Sequence, residues 1–245
     1  MAGEPNMHIP VAKPAASILL VRNGSNGIEV LMTKRAKSMA FAPSALVFPG
    51  GKVEEADTNY ALWADYVNVT EKTKTGDFSY KMAAIRELYE ETSVLLTEGL
   101  CPANTSGLGF RECVLTSENR LNVSSLVFFA HWITPENMKL RFDTHFYLAA
   151  YNGDTFQHDG NEAVSLCWVS PKKVLKEAEA DDVFLMFPTR LNLIKLSRAN
   201  SVEEAIEFAT KDPVVRTMPV WKDGRVSISK EAAEFHGYDD VTGKP

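Results

Sequence analysis

Residues 86–91 read Arg-Glu-Leu-Tyr-Glu-Glu, and a Phe-Pro-Gly-Gly turn stands upstream at 48–51. On a helix Glu87, Glu90 and Glu91 fall at i, i+3 and i+4, so three carboxylates share one face. Like charges at those spacings repel, and a helix gains nothing from grouping them without a cation. Hard divalent ions take oxygen ligands and commonly bridge protein carboxylates to a substrate's phosphates. The pattern points to metal-assisted chemistry on a phosphate compound; the plainer alternative is a solvated acidic helix face. Gly50 and Gly51 also read two ways. They form a plain turn, or a turn whose carbonyl approaches a metal through backbone conformations closed to other residues.

The rest of the chain supplies layers to hold that helix. Residues 16–22 and 28–33 read as strands joined by an Asn/Gly turn, giving a hairpin. Residues 45–48 are a short extended piece. Residues 80–97 show helical periodicity, with Met82, Ile85, Leu88 and Leu95 on the apolar face. Three strands follow at 125–133, 140–150 and 163–169. Ser170-Pro171 opens a helix to about 178. Two more helices are expected at 187–198 and 202–210, the second capped by Ser201 with Glu204 three residues on. A strand at 213–220 and a turn at Asp223-Gly224 complete the reading. Strands, helix, strands, then helices indicate an α+β fold with a mixed sheet. The expected organisation is a flexible arm at 1–13, one domain at 14–212 with an insertion at about 58–79, and an extension at 213–245 packed on that domain.

The 245 residues are 45% hydrophobic and 24% charged, with a formal net charge of −6. That balance is ordinary for a globular protein and offers no basic surface for nucleic acid. No apolar run approaches a membrane span and no leader pattern opens the chain, so a cytoplasmic protein is expected. Cys101, Cys113 and Cys167 lack metal-ligand spacing and read as thiols in a reducing compartment. Self-association into a homodimer is left open.

The motif resembles the signature of the Nudix hydrolases. That signature runs Gly, five residues, Glu, seven residues, Arg-Glu, two residues, Glu-Glu, one residue, Gly, and an aliphatic residue. Gly51 begins it here and Arg86-Glu87 and Glu90-Glu91 match, while Asp57 replaces the first Glu. Ser93 replaces the closing Gly, and Val94 is the aliphatic position. Between Asp57 and Arg86 lie residues 58–85, where the family usually has seven, so the box carries an insertion. A split box after Phe-Pro-Gly-Gly resembles the branch of coenzyme A and acyl-CoA diphosphatases. Residues 31–35 (Leu-Met-Thr-Lys-Arg), 132–135 (Trp-Ile-Thr-Pro) and 141–147 (Arg-Phe-Asp-Thr-His-Phe-Tyr) resemble that branch too.

The resemblance implies an α/β/α sandwich with extra C-terminal helices, Mg²⁺ or Mn²⁺ as cofactor, and hydrolysis of a small nucleoside-diphosphate derivative. It implies that Glu87, Glu90, Glu91 and the Gly50 carbonyl hold metal, and that Arg86 is a structural arginine orienting Asp57. Glu162 is the candidate for a further catalytic carboxylate from a later loop, with Asp159 as competitor. Lys34, Arg35 and Gly51 are candidates for substrate contact. The substrate is expected to be coenzyme A or an acyl-CoA, with ADP-ribose, dinucleotides or nucleotide sugars as alternatives and a non-catalytic nucleotide-binding domain as a third reading. His131 and His145 read as hydrogen-bonded core histidines, and Arg141 with Asp143 as a structural ion pair.

Overall fold

A computed structural model of the protein describes residues 9–34, 45–99, 107–153, 165–222 and 225–238. The chain enters through β1 (Lys13–Gly24) and returns in β2 (Gly27–Lys34). Gly27 takes a φ of 113°, which an L side chain rarely adopts, so the tight turn depends on glycine there. Two short strands, β3 (Leu46–Val47) and β4 (Gly50–Lys52), follow. A short helix α1 (Glu55–Thr58) carries Asp57, and the segment read as an insertion holds two more, α2 (Tyr60–Trp63) and α3 (Glu71–Thr75). The long helix α4 spans Phe78–Thr92, and α5 spans Phe110–Thr116.

The second half contributes β5 (Val127–Ile133), β6 (Phe142–Ala150) and β7 (Ser165–Val169). Helices α6 (Pro171–Glu179), α7 (Phe187–Leu196) and α8 (Val202–Lys211) come next. Ser201 caps α8 as its spacing predicts, its Oγ accepting the Glu204 N–H at 3.2 Å. The chain continues through β8 (Arg216–Thr217), a hairpin of β9 (Val220–Lys222) and β10 (Arg225–Ser227), and helix α9 (Lys230–His236). The expected turn at Asp223-Gly224 lies outside the described residues.

The main sheet runs β3-β2-β1-β6-β5-β8, with β4 beside β1 and β7 beside β2. The β1–β6 and β5–β8 pairs are parallel and the remaining pairs antiparallel, so the sheet is mixed, as expected. Strand alternation divides β1 between two cores. Ile18 and Leu20 pack under α4, whereas Leu19 and Val21 pack under the later helices. Helices therefore cover both faces, which is the α/β/α sandwich. Among the described residues, no helix is long and apolar enough to cross a membrane.

Residues 60–75 are tied to the first core and do not stand off it. Trp63 and Val67 are buried, and the Trp63 indole donates to the Ala56 carbonyl at 2.8 Å. Helix α9, which periodicity did not suggest, buries His236 against Trp132 at a ring separation of 4.7 Å, with Thr217 Oγ1 3.2 Å from its Nε2. Burial first, then the charge of Lys195, pushes the His236 imidazole down to about 3. An unfolded histidine titrates near ~6.5. Between those values the unfolded chain binds more protons, so stability must fall as pH falls. This one group contributes a slope of up to about 1.4 kcal/mol per pH unit. Urea melts from pH 7 to 4.5 should show the loss, and His236→Gln should flatten it; an unchanged slope would count against the argument.

Candidate active site

The site begins where β4 docks on β1, with Ser17 opposite Gly50 and Ala16 opposite Gly51. The Pro49 carbonyl accepts the Ile18 N–H at 3.0 Å and the Ser17 hydroxyl at 2.8 Å. A Cβ on Gly50 would lie 2.7 Å from Ser17 Cα, forcing β4 off β1. A Cβ on Gly51 would overlap the carboxylate of Glu87. Neither glycine has a positive φ. Contrary to the expectation of unusual torsions, space sets both glycines: a Cβ at Gly50 would meet backbone, and one at Gly51 would push the Glu87 carboxylate aside.

Helix α4 brings the acids to this turn. It is buried on most sides from Lys81 to Tyr89, including the expected Met82, Ile85 and Leu88. The Arg86 guanidinium sits at the centre of the acidic group. Its Nε and Nη2 donate to the two oxygens of Asp57 at 3.1 and 3.0 Å, a paired contact to a carboxylate that is fully buried. Nη2 also donates to the Lys52 carbonyl at 2.8 Å, fixing the end of β4. Nη1 donates to Glu87 Oε1 at 2.8 Å and Glu90 Oε2 at 3.0 Å. One cation thereby positions three acids and the glycine strand. Asp57 also accepts the Glu54 N–H at 2.8 Å, closing the first turn of α1.

Burial works against the Arg86 charge, but Asp57 and Glu87 hold the guanidinium above its ordinary value. Burial likewise raises the Glu87 carboxyl, and the neighbouring Arg86 only partly offsets this. Glu87 is walled in, with 17% of its side chain exposed, whereas Glu90 is 47% exposed and Glu91 also faces outward. Arg86 engages one oxygen each of Glu87 and Glu90, leaving the second oxygens for another cation. The donor set is all oxygen, which fits a hard divalent ion.

Helix α4 stops at Thr92 because Ser93 adopts the left-handed conformation, φ 57° and ψ 18°. The missing glycine of the signature does not change the turn: serine accepts the torsions that glycine adopts freely. Leu95 is buried but lies beyond the helix, which ends earlier than the periodicity suggests.

Lys34 is exposed at the end of β2. Arg35, Asp159 and Glu162 lie outside the described residues. Arg141 does not pair with Asp143. It donates to the carbonyls of Thr134 and Pro10 at 3.1 and 2.8 Å, while Asp143 Oδ1 stands 2.6 Å from His131 Nε2. His131 and His145 are half-buried, at 17% and 18% side-chain exposure, and lie under the start of α4 rather than deep in a core.

Residues 11–187 match the family described as NUDIX domain. A putative nudix hydrolase 7 from Caenorhabditis elegans is 29% identical over 226 residues, 85% of this chain and 68% of that protein. The acyl-coenzyme A diphosphatase NUDT19 of Xenopus laevis is 22% identical over 307 residues, 97% of this chain and 79% of that protein. The crystal structure of a NUDIX hydrolase from Alicyclobacillus acidocaldarius shares the fold with a TM-score of 0.66 at 24% identity, covering 84% of this chain and 100% of that one. With the family match spanning most of its length, this chain belongs to the NUDIX family and is a hydrolase of diphosphate bonds.

Proposed function

We propose that the protein hydrolyses the diphosphate bond of coenzyme A or an acyl-CoA, releasing 3′,5′-ADP and (acyl-)4′-phosphopantetheine, with Mg²⁺ or Mn²⁺ as cofactor. The observation that carries this reading is the Glu87 carboxylate seated against Gly51 while Arg86 ties it to Asp57 and Glu90. The similarity to an acyl-coenzyme A diphosphatase supports the choice among diphosphate substrates.

In this reading Glu87, Glu90 and Glu91 and the Gly50 carbonyl hold the ion. A bound divalent ion supplies charge neutralisation at phosphorus and a more acidic water. Arg86 orients the acids through Asp57 and Lys52 and touches no substrate. Gly51 leaves room for the Glu87 carboxylate beside the diphosphate. Lys34 and Arg35 meet the substrate's phosphates, and Glu162 takes the proton of the attacking water. Water oxygen bonds to one phosphorus as the bridging P–O bond breaks, and each product leaves with a phosphate.

Gly51→Ala tests the geometry without touching an acid. The new methyl displaces the Glu87 carboxylate, and a misplacement of about 1 Å can cost on the order of 10² in rate. Activity should fall by about that factor with the circular dichroism spectrum retained; parent activity would mean that Glu87 need not sit there.

The substrate is tested by a panel of coenzyme A, acyl-CoA, ADP-ribose, dinucleotides and nucleotide sugars with Mg²⁺ and Mn²⁺, products resolved by mass. The expected result is a kcat/KM for coenzyme A or acyl-CoA above all others. Faster turnover of ADP-ribose or a nucleotide sugar would move the assignment to that substrate. Tight nucleotide binding without product would move it to a non-catalytic domain.

A further inference from the structure

We infer that the protein carries a second cation site, distinct from the acidic helix, in which His131, Asp143 and His145 bind one first-row divalent transition ion such as Zn²⁺. The three side chains come from neighbouring strands. His131 on β5 lies opposite His145 on β6, and Asp143 precedes His145 by two residues, which puts it on the same face. One ligand atom from each lies within 4.8 Å of the others. His131 Nε2 is 2.6 Å and His145 Nε2 is 4.0 Å from the same oxygen, Asp143 Oδ1. A tetrahedral ion with ligands at about 2.0–2.1 Å sets its donors roughly 3.3 Å apart. The two spacings to Asp143 Oδ1 bracket that value, and the limit of 4.8 Å on the third pair leaves at most about 1.5 Å for side-chain rotation to close around an ion.

Two further features point to a ligand rather than a self-contained polar cluster. Tyr147 donates its one hydroxyl proton to Asp77 Oδ2 at 3.1 Å, while its oxygen is 3.4 Å from His145 Nδ1. That oxygen has spent its proton and suits a proton on His145 Nδ1; in that tautomer the Nε2 lone pair is bare and faces the Asp143 carboxylate at 4.0 Å. Two acceptors then face one another, which a cation between them resolves. The Tyr80 ring from α4 stacks on His145 at 3.8 Å with 13° between planes, fixing the imidazole. Such outer contacts are the usual means of orienting a metal-binding histidine. An ion held by His131 Nε2 would take the place of the proton shared with Asp143 Oδ1, which passes to Nδ1 or to water.

The donors separate this site from the first. Imidazole with one carboxylate favours zinc, cobalt, nickel or iron, whereas an all-oxygen set favours magnesium. The side chains of His131, Asp143 and His145 are 17%, 30% and 18% exposed, which leaves room for water to complete the coordination. Gly51, Ala16, His145 and His131 form one row across β4, β1, β6 and β5. At a strand spacing of about 4.8 Å the two sites are on the order of 10–15 Å apart.

The test is a Co²⁺ titration of the full chain in saturating Mg²⁺, followed by visible ligand-field absorption and then by displacement with Zn²⁺. The expected result is one equivalent of Co²⁺ with a band that Zn²⁺ removes. Affinity should fall at least about tenfold in His131→Gln, His145→Gln and Asp143→Asn and stay at the parent value in Glu91→Gln. Circular dichroism checks folding; should His145→Gln fail to fold, His131→Gln and Asp143→Asn decide the matter. No saturable binding by the parent, or unchanged affinity in the folded variants, overturns the site. Loss of the band in Glu91→Gln alone would return the ion to the acidic helix and overturn it equally.

Discussion

Glu91→Gln should lower kcat by about 10² or more, the scale of losing one group that stabilises charge in a transition state. The substitution removes a charge and retains the shape. Glu91 is exposed on the last turn of α4, so its replacement should leave the fold in place. Glu87→Gln should lose comparable activity and more stability, because Glu87 is walled in and bonded to Arg86. Steady-state kinetics beside thermal melts separate the two effects. Turnover by Glu91→Gln at the parent rate, with metal present, would show that this carboxylate is not part of the machinery.

The second large effect is on folding. Arg86→Met should destabilise the protein by about 3–5 kcal/mol, because it leaves the Asp57 carboxylate buried without its cation. For a chain of this size each kcal/mol lowers Tm by roughly 2–4 °C. A drop of about 6–20 °C follows, with lost activity as Glu87 and Glu90 lose their shared donor. Replacing both partners, in Arg86→Met with Asp57→Leu, should recover part of the loss, since an apolar pair carries no stranded charge. A melt for Arg86→Met within about 2 °C of the parent would refute the central place given to the guanidinium. Ser93 and Asp57, the two departures from the signature, fit this scheme: Ser93 keeps the left-handed turn, and Asp57 reaches Arg86 with both oxygens.

What the sequence made legible was local. The hairpin, the acidic helix, the Ser-Pro start of α6 and the Ser201 cap each depend on spacings within a few residues. What it hid was the meeting of distant pieces. Arg86 and Asp57 are 29 positions apart, and only the packing of α1 on α4 shows that they form a paired contact. The reasons for the double glycine lie far along the chain, at Ser17 on β1 for Gly50 and at Glu87 for Gly51, and no local spacing shows either. Asp143 and His145 share a face by strand periodicity, yet His131 joins them only through the β5–β6 register, which shifts between Phe128 and Ala130. Helix α9 had a usable signal in Ser229 as cap and Gly237 in the left-handed position at its end. Its seven residues are too few for periodicity to stand out.

In the proposed function Glu87, Glu90 and Glu91 grip a divalent ion beside the Gly50-Gly51 strand. The direct measurement is anomalous diffraction from crystals of the protein soaked in Mn²⁺. The account predicts a peak within coordination distance of the Glu87 and Glu91 carboxylates and the Gly50 carbonyl, lost in Glu87→Gln. An active enzyme whose Mn²⁺ peaks all lie away from these three glutamates would contradict it.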